Sequence, residues 1–131
     1  ALPSSLLIKV APDLTAEQIS ALAQGLRSLG VDGVIATNTS TDRSMLGGAP
    51  AAAQAGGLSG APLHPLAVSV ISQLRAELGA DFPIIGVGGI VSADDALATL
   101  RAGANLVQVY TGFAYRGTDL LQEIIGALSH D

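Results

Sequence analysis

Short apolar runs alternate along this chain with longer segments in which apolar residues recur at helical spacing. The runs are rich in valine and isoleucine, which is typical of strands buried in a parallel sheet. Strands are expected at 6–11, 33–37, 84–87 and 106–110, and helices near 15–29, 66–78, 94–102 and 119–128. This alternation predicts consecutive βα units around a parallel sheet, which is either doubly wound or an arc of a barrel.

Start and stop signals support two of these helices. Thr15, with Gln18 three residues later, forms a capping box, and Gly30 is placed to end the same helix. Ser92, with Asp95 three residues later, has the same spacing of an N-cap and an acidic partner.

Helical spacing also predicts which side chains are buried. In the first helix the inward stripe consists of Ile19, Leu22, Leu26 and Leu29. The second helix is expected to bury Leu66, Val70, Ile71 and Leu74 and to expose Arg75 and Glu77.

The stretch Pro83–Ile90 combines a strand with a glycine turn that leads into the helix after Ser92. Gly88 and Gly89 allow close approach of the backbone, so the turn is a candidate for half of a phosphate-binding cup. A dinucleotide-binding loop is disfavoured, because Val91 stands where the third glycine belongs and no acidic residue follows at the ribose-binding distance. The alternative is a tight turn that requires glycine sterically and binds nothing.

Composition narrows the possible functions. The 131 residues form at most one domain, 1–131, with 49% apolar and 13% charged residues. The net charge of −5 without a basic cluster argues against nucleic acid as a partner. The chain has no cysteine and only His64 and His130 as histidines, so a metal site is not expected.

No apolar run is long enough to span a membrane, and the opening at Ala1 without methionine suggests a piece of a longer protein.

Several polar residues stand at predicted strand ends, where parallel sheets bind ligands. Lys9, the only lysine, lies inside an apolar strand, and its ammonium group either reaches water or stabilises a reduced flavin. The stretch Thr37–Ser40 could read a planar ring through its amide and hydroxyls, or form an ordinary turn.

Two further segments complete the candidate site. The connection 41–61 is long for a βα loop and ends in the glycine-rich stretch Gly56–Gly60, so it is a candidate lid. Tyr110 and Thr111 end the last strand and begin a turn at 111–116. In barrels, phosphate often lies between the loops after strands seven and eight. Tyr110 could otherwise be a core aromatic residue with its hydroxyl at the rim.

In combination and in this order, these segments closely resemble dihydroorotate dehydrogenase. The resemblance rests on the stretches 9–14, 37–40, 56–60, 85–90 and 106–111, and it covers nearly the whole chain. The strings Thr-Asn-Thr and Val-Gln-Val-Tyr-Thr look like the quinone-dependent, membrane-associated class. The resemblance implies the C-terminal half of a (β/α)8 TIM barrel, strands five to eight.

The resemblance also implies a role for each candidate. FMN would be the cofactor, with Lys9 and Thr37 at its ring system. Ser59 and Gly60 would line the ribityl and phosphate path, and the phosphate would lie on Gly88, Gly89, Tyr110 and Thr111. Asn38 and Thr39 would hold dihydroorotate or orotate. Ser40 stands where many relatives have a second threonine, and it keeps the hydroxyl.

The resemblance implies an enzyme of pyrimidine biosynthesis that oxidises dihydroorotate to orotate and passes electrons through FMN to a quinone. It would lie peripherally on the cytoplasmic side of the bacterial inner membrane. The base serine and the quinone-binding helices belong to the N-terminal part of the family, so no catalytic base is expected in this chain and the fragment alone should be inactive. Two alternatives are another phosphate-binding barrel, such as a sugar-phosphate isomerase or synthase, and a non-catalytic half-barrel module.

Overall fold

A computed structural model describes residues 4–129 of the chain. The four strands are β1 (Leu7–Val10), β2 (Gly33–Ala36), β3 (Ile84–Val87) and β4 (Leu106–Gln108). The helices are α1 (Ala16–Ser28), α2 (His64–Leu78), α3 (Ala93–Arg101), α4 (Thr111–Arg116) and α5 (Thr118–Leu128). The predicted order of strands and helices is therefore confirmed, and the capping box of Thr15 and Gln18 is formed as expected.

The strands form one parallel sheet in the order β1-β2-β3-β4. Right-handed crossovers that always add the next strand on the same side place their helices on one face of the sheet. A doubly wound sheet would need a reversal of the strand order, and this sheet has none. The fold is thus an arc of a barrel, which resolves the two possibilities left by the sequence.

The two faces of the sheet differ in what covers them. The face that carries Val34, Ala36 and Ile84 is fully buried beneath the helices. The same core contains the helical residues Ile19, Ala23, Leu26, Val70, Ile71 and Leu74. Full burial of each Ile, Leu or Val side chain contributes about 1.5–3 kcal/mol. A second, smaller cluster of Ile90, Ala96, Leu120 and Ile124 joins α5 to α3.

The opposite face of the sheet carries Lys9, Ile35, Ile85 and Leu106, which pair in register across the four strands. No helix covers this face in the part of the chain that the structure describes, and Leu106 is 62% exposed. In a closed barrel this would be the interior. The chain therefore presents an apolar barrel interior without its other wall.

Two predicted orientations are wrong, and two residues are less buried than expected. Leu29 is 80% exposed, because α1 ends at Ser28 and Leu29 is its C-cap. Leu22 and Leu66 are only partly buried. Arg75 is half-buried rather than exposed, because its guanidinium group turns back and donates to the carbonyl of Gly103 at 2.7 and 2.9 Å and to that of Phe82 at 2.8 Å.

The long connection between β2 and α2 contains short helical turns at Ser44–Leu46, Pro50–Ala53 and Ala61–Leu63. Near its end, Leu58 pairs with Ser40 as an isolated antiparallel bridge. Arg43 donates to three carbonyls of the same connection, those of Ala52, Gln54 and Gly56. These contacts give the connection an internal structure that no periodicity in its sequence predicts.

Two other features bear on the sequence analysis. The segment Thr111–Arg116, expected as a turn, forms the short helix α4. Along residues 4–129, no helix combines the length and the apolar character needed to cross a bilayer. His130 lies outside the described residues.

We predict that the purified chain associates with itself through the uncovered sheet face and the unpaired edges of β1 and β4. Light scattering should show a molecular mass that rises with concentration. Leu106→Lys places a charge on the uncovered face and should lower the association, whereas Leu29→Lys, a matched change on the C-cap of α1, should leave it unchanged. A chain that stays monomeric at every concentration would contradict this prediction.

Candidate active site

A cleft of about 280 Å³ lies at the carboxyl ends of the four strands. Ten of the residues with a predicted ligand-binding role line this cleft: Lys9, Thr37, Asn38, Thr39, Ser59, Gly60, Gly88, Gly89, Tyr110 and Thr111. Ser40, the last residue of the stretch expected to read a planar ring, is fully buried and does not line it. The residues come from all four βα units. Their convergence follows from the parallel pairing, which brings the carboxyl ends of the strands to one edge.

Lys9 supplies the cationic group of the cleft. It lies on the uncovered face of β1, level with Ile35 of β2, and its side chain is exposed. Within residues 4–129 its ammonium group makes no ion pair or hydrogen bond, and it remains available to a ligand.

The end of β2 is held on both sides by its neighbours. The Thr37 N–H donates to the Val87 carbonyl at 2.6 Å, and the Asn38 N–H donates to the Val10 carbonyl at 2.7 Å. Thr37 is 2% exposed, which leaves only its cleft-facing atoms accessible. The side chains of Asn38 and Thr39 are exposed, and the Asn38 Oδ1 accepts the Thr39 N–H at 2.9 Å. The Asn38 amide NH₂ makes no hydrogen bond to residues 4–129 and can donate to a ligand.

Gly88 and Gly89 turn the chain at the end of β3. A side chain at Gly89 would place its Cβ 2.5 Å from the His64 nitrogen and 2.7 Å from the Gly60 carbonyl oxygen, and φ there is +68°. Glycine is therefore required sterically. Among residues 4–129, the N–H groups of Gly88 and Gly89 donate no hydrogen bond, so they are available to an anion.

The cleft reaches the glycine turn but not the residues that follow it. Gly88, Gly89 and Ile90 line the cleft, but Val91 and Ser92 do not. Asp95 explains the difference, because its Oδ2 accepts the Val91 N–H at 3.0 Å and the Ser92 hydroxyl at 2.8 Å. Asp95 thus occupies the polar groups of Val91 and Ser92 at the start of α3, and the glycine turn keeps its unbonded N–H groups.

His64 supports the glycine turn from behind. Its Nε2 lies 3.1 Å from the Asp95 carbonyl oxygen and must donate to it, because a carbonyl can only accept. Its Nδ1 lies 3.6 Å from the Asp95 Oδ1. The start of α2 is thereby tied to the start of α3 beneath Gly89.

The remaining predicted residues close the cleft on the side of the long connection. The Thr111 hydroxyl donates to the Ser59 hydroxyl at 3.2 Å, which joins the end of β4 to the end of the connection. Tyr110 is 86% exposed, so it is not a core aromatic residue.

A carboxylate, that of Asp13, ties the loops after β1 and β2 together. Its Oδ1 accepts the Ser40 hydroxyl, and its Oδ2 accepts the Thr41 N–H at 2.7 Å and the Thr41 hydroxyl at 3.0 Å. Partial burial alone would raise the pKa of Asp13, but the hydrogen bonds from Ser40 and Thr41 outweigh it and lower the pKa below its ordinary value. Asp13 therefore stays ionised as a strong acceptor.

Sequence reasoning missed part of the lining: Leu63, Val87, Ile90, Gln108, Val109 and Gly112. Gln108 carried a usable signal, because it is a polar residue inside an apolar strand and pairs with Val87. Leu63 carried none, since its place depends on how the long connection folds back. In the described part of the chain, no group of three or more His, Asp or Glu side chains could hold a metal ion.

Comparison with known proteins gives a consistent result. Relatives named dihydroorotate dehydrogenase (quinone) are 53% identical over 118 residues in Albidiferax ferrireducens and 52% identical over 125 residues in Bordetella avium. These alignments cover 90% and 95% of this chain but 33% and 36% of the relatives. The chain thus spans about a third of their length.

Structural comparison agrees. The crystal structure of DHODH from Eimeria tenella in complex with ferulenol matches 95% of this chain and 33% of that chain, with a TM-score of 0.88 and 35% identity. The fold is therefore part of the barrel of these enzymes. The family model described as dihydroorotate dehydrogenase matches residues 3–131, and the chain belongs to the dihydroorotate dehydrogenase family, with the quinone-dependent enzymes among its relatives.

Proposed function

We propose that this chain supplies the flavin-binding cleft and part of the substrate site of an enzyme that oxidises dihydroorotate to orotate, with electrons passing through FMN to a quinone. The observation that carries the proposal is the convergence of ten residues from four βα units in one cleft. Family membership favours this reaction over a sugar-phosphate isomerase or synthase and over a non-catalytic module.

The two sides of the cleft carry groups that suit the two ends of FMN, its phosphate and its ring system. Free backbone N–H groups at Gly88 and Gly89 suit a phosphate, and the unpaired Lys9 with the fixed Thr37 suits the polar edge of a planar ring. The volume of about 280 Å³ lies just below the range for ligand pockets, roughly 300–1,000 Å³. A cleft that is open towards the uncovered sheet face needs the rest of the enzyme to enclose both ligands.

The FMN held by these residues would supply the acceptor for the hydride that dihydroorotate loses. Lys9 would stabilise the negative charge that grows near it during this transfer. Asn38 and Thr39 would orient the substrate with an amide and a hydroxyl, because the free Asn38 NH₂ donates to carbonyl or carboxylate oxygens. Among residues 4–129, no side chain beside Asn38 is a credible base: the Thr39 and Ser59 hydroxyls have no adjacent histidine or carboxylate, and the Ser40 hydroxyl, which donates to Asp13, is buried outside the cleft.

The remaining partners belong to the other two thirds of the enzyme. The base, the quinone contacts and the association with the membrane would come from there, and the same segment would cover the barrel interior. A complete enzyme can be made as a chimera in which this chain replaces the matching segment of the Bordetella avium relative, 52% identical to it. The following experiments use that chimera unless stated otherwise.

Gly89→Ala should weaken FMN binding by ~10-fold or more, because the added Cβ meets the His64 nitrogen and the Gly60 carbonyl and displaces the phosphate-facing N–H groups. Flavin fluorescence titration of the apoenzyme measures the effect. Gly25→Ala is the control, since a Cβ at Gly25 meets nothing within 4 Å. Equal FMN affinity in the two variants would count against the glycine turn as the phosphate site.

Lys9→Ala should slow reduction of the flavin more than it weakens dihydroorotate binding, because the cation acts mainly on charge that develops in the transition state. The expected loss is ~2–4 kcal/mol of transition-state stabilisation. Stopped-flow loss of FMN absorbance gives the rate, and its dependence on dihydroorotate gives the binding constant. Lys9→Arg, which keeps the charge, should recover part of the rate, and a normal rate in Lys9→Ala with a raised binding constant would reverse the assignment.

The isolated 131-residue chain should not oxidise dihydroorotate with added FMN, because it lacks a base and one wall of the site. Orotate absorbance measures turnover. Mixing the chain with the separately made remainder of the relative should restore a yellow, active complex. Turnover by the purified chain alone would show that its own residues suffice.

A further inference from the structure

Ser40 is a fully buried residue that makes contacts in three directions. Its hydroxyl donates to Asp13 in the loop after β1 and accepts the Asp42 N–H at 3.0 Å. Its backbone forms two hydrogen bonds with Leu58, of 3.1 and 2.7 Å, at the end of the long connection. Ser40 lies outside the ligand cleft, but it directly follows Asn38 and Thr39, which line the cleft.

The two loops joined by Ser40 are packed closely at this point. A Cβ on Gly57 would overlap the Thr39 side chain and lie 3.2 Å from the Ser40 carbonyl oxygen. Leu58 leads directly into Ser59 and Gly60, which line the cleft on the other side. Any shift of Ser40 therefore moves Thr39 and the start of the Ser59–Gly60 segment together.

Asp13 anchors this junction to β1. Its carboxylate accepts three hydrogen bonds, one from Ser40 and two from Thr41. The lowered pKa of Asp13 keeps it charged at neutral pH, and hydrogen bonds to a charged acceptor are the stronger ones. The carboxylate therefore ties Ser40 and Thr41, in the loop after β2, to the loop after β1.

We propose that Asp13 and Ser40 form a positioning pair that couples the substrate-contacting residues Asn38 and Thr39 to the flavin-contacting residues Ser59 and Gly60. The pair touches neither ligand. It acts by holding the loop after β2 and the end of the long connection in one fixed arrangement. The Ser59–Thr111 hydrogen bond extends this arrangement to the end of β4.

This proposal rests on the proposed function and predicts a specific kinetic pattern. Ser40→Ala and Asp13→Asn should each raise KM for dihydroorotate and Kd for FMN by ~10-fold in the chimera, with a much smaller change in kcat. Lys9 and Asn38 remain in place, so the chemical step is preserved once both ligands are bound. Ser40→Thr should restore both constants, because it keeps the hydroxyl.

The double variant and a control separate positioning from general loss of stability. Ser40 and Asp13 share one hydrogen bond, and Asp13 also accepts two from Thr41. Ser40→Ala therefore removes a contact that Asp13→Asn already weakens, and the double variant should be no worse than the more affected single variant. Ser44→Ala is the matched control in the same connection, since the Ser44 hydroxyl makes no hydrogen bond in the described structure, and it should leave both constants unchanged. Thermal unfolding of each variant reports any loss of stability.

The outcomes distinguish this proposal from the proposed function. An unmodified chimera that binds FMN but does not oxidise dihydroorotate would refute the function, while the effect of Ser40→Ala on FMN binding would still test the pair. An active chimera in which Ser40→Ala and Asp13→Asn lower the unfolding temperature but leave KM and Kd unchanged would refute the pair. Additive effects in the double variant would refute it as well.

Discussion

The parallel pairing of β2 with both of its neighbours is the constraint on which the cleft depends. The ladder continues past the end of β2, where Thr37 and Asn38 donate to carbonyls of β3 and β1 respectively. A slip of one residue would turn Lys9 to the helix-covered face and a core valine towards the ligand. The pairing register therefore determines both which side chains face the helices and which face the cleft.

The same alternation explains why so much of the fold could be predicted from the sequence. Strand positions follow from short β-branched runs, and the strand ends then identify Lys9, Thr37 and the glycine turn by rule. What could not be predicted depends on contacts between distant segments. The bend of Arg75 back onto Gly103 and the place of Leu63 in the cleft have no local signal. The predicted burial of Leu29 was wrong for another reason: hydrophobic periodicity does not show at which residue a helix ends.

The residue pattern and the family resemblance predict different features of this chain. Periodicity and strand ends placed the polar residues at one edge of a sheet, but they left a barrel arc and a doubly wound sheet open. The strand order settles that question, because all crossovers run in one direction. The ligand identities came from the resemblance alone, since an amide, a lysine and a glycine turn suit many anionic ligands. That the cleft ends at Ile90 could be seen only in the structure, where the Asp95 carboxylate accepts hydrogen bonds from the Val91 N–H and the Ser92 hydroxyl.

The Arg43 side chain has a consequence for how the long connection responds to a ligand. By donating to the carbonyls of Ala52, Gln54 and Gly56, it gathers the middle of the connection around one guanidinium group, which has no acidic partner among residues 4–129. This segment therefore loses its conformational entropy when the chain folds, and ligand binding does not have to order it. Ser59 and Gly60, which follow at the end of this connection, therefore reach the cleft from a segment whose backbone is already held by its own contacts.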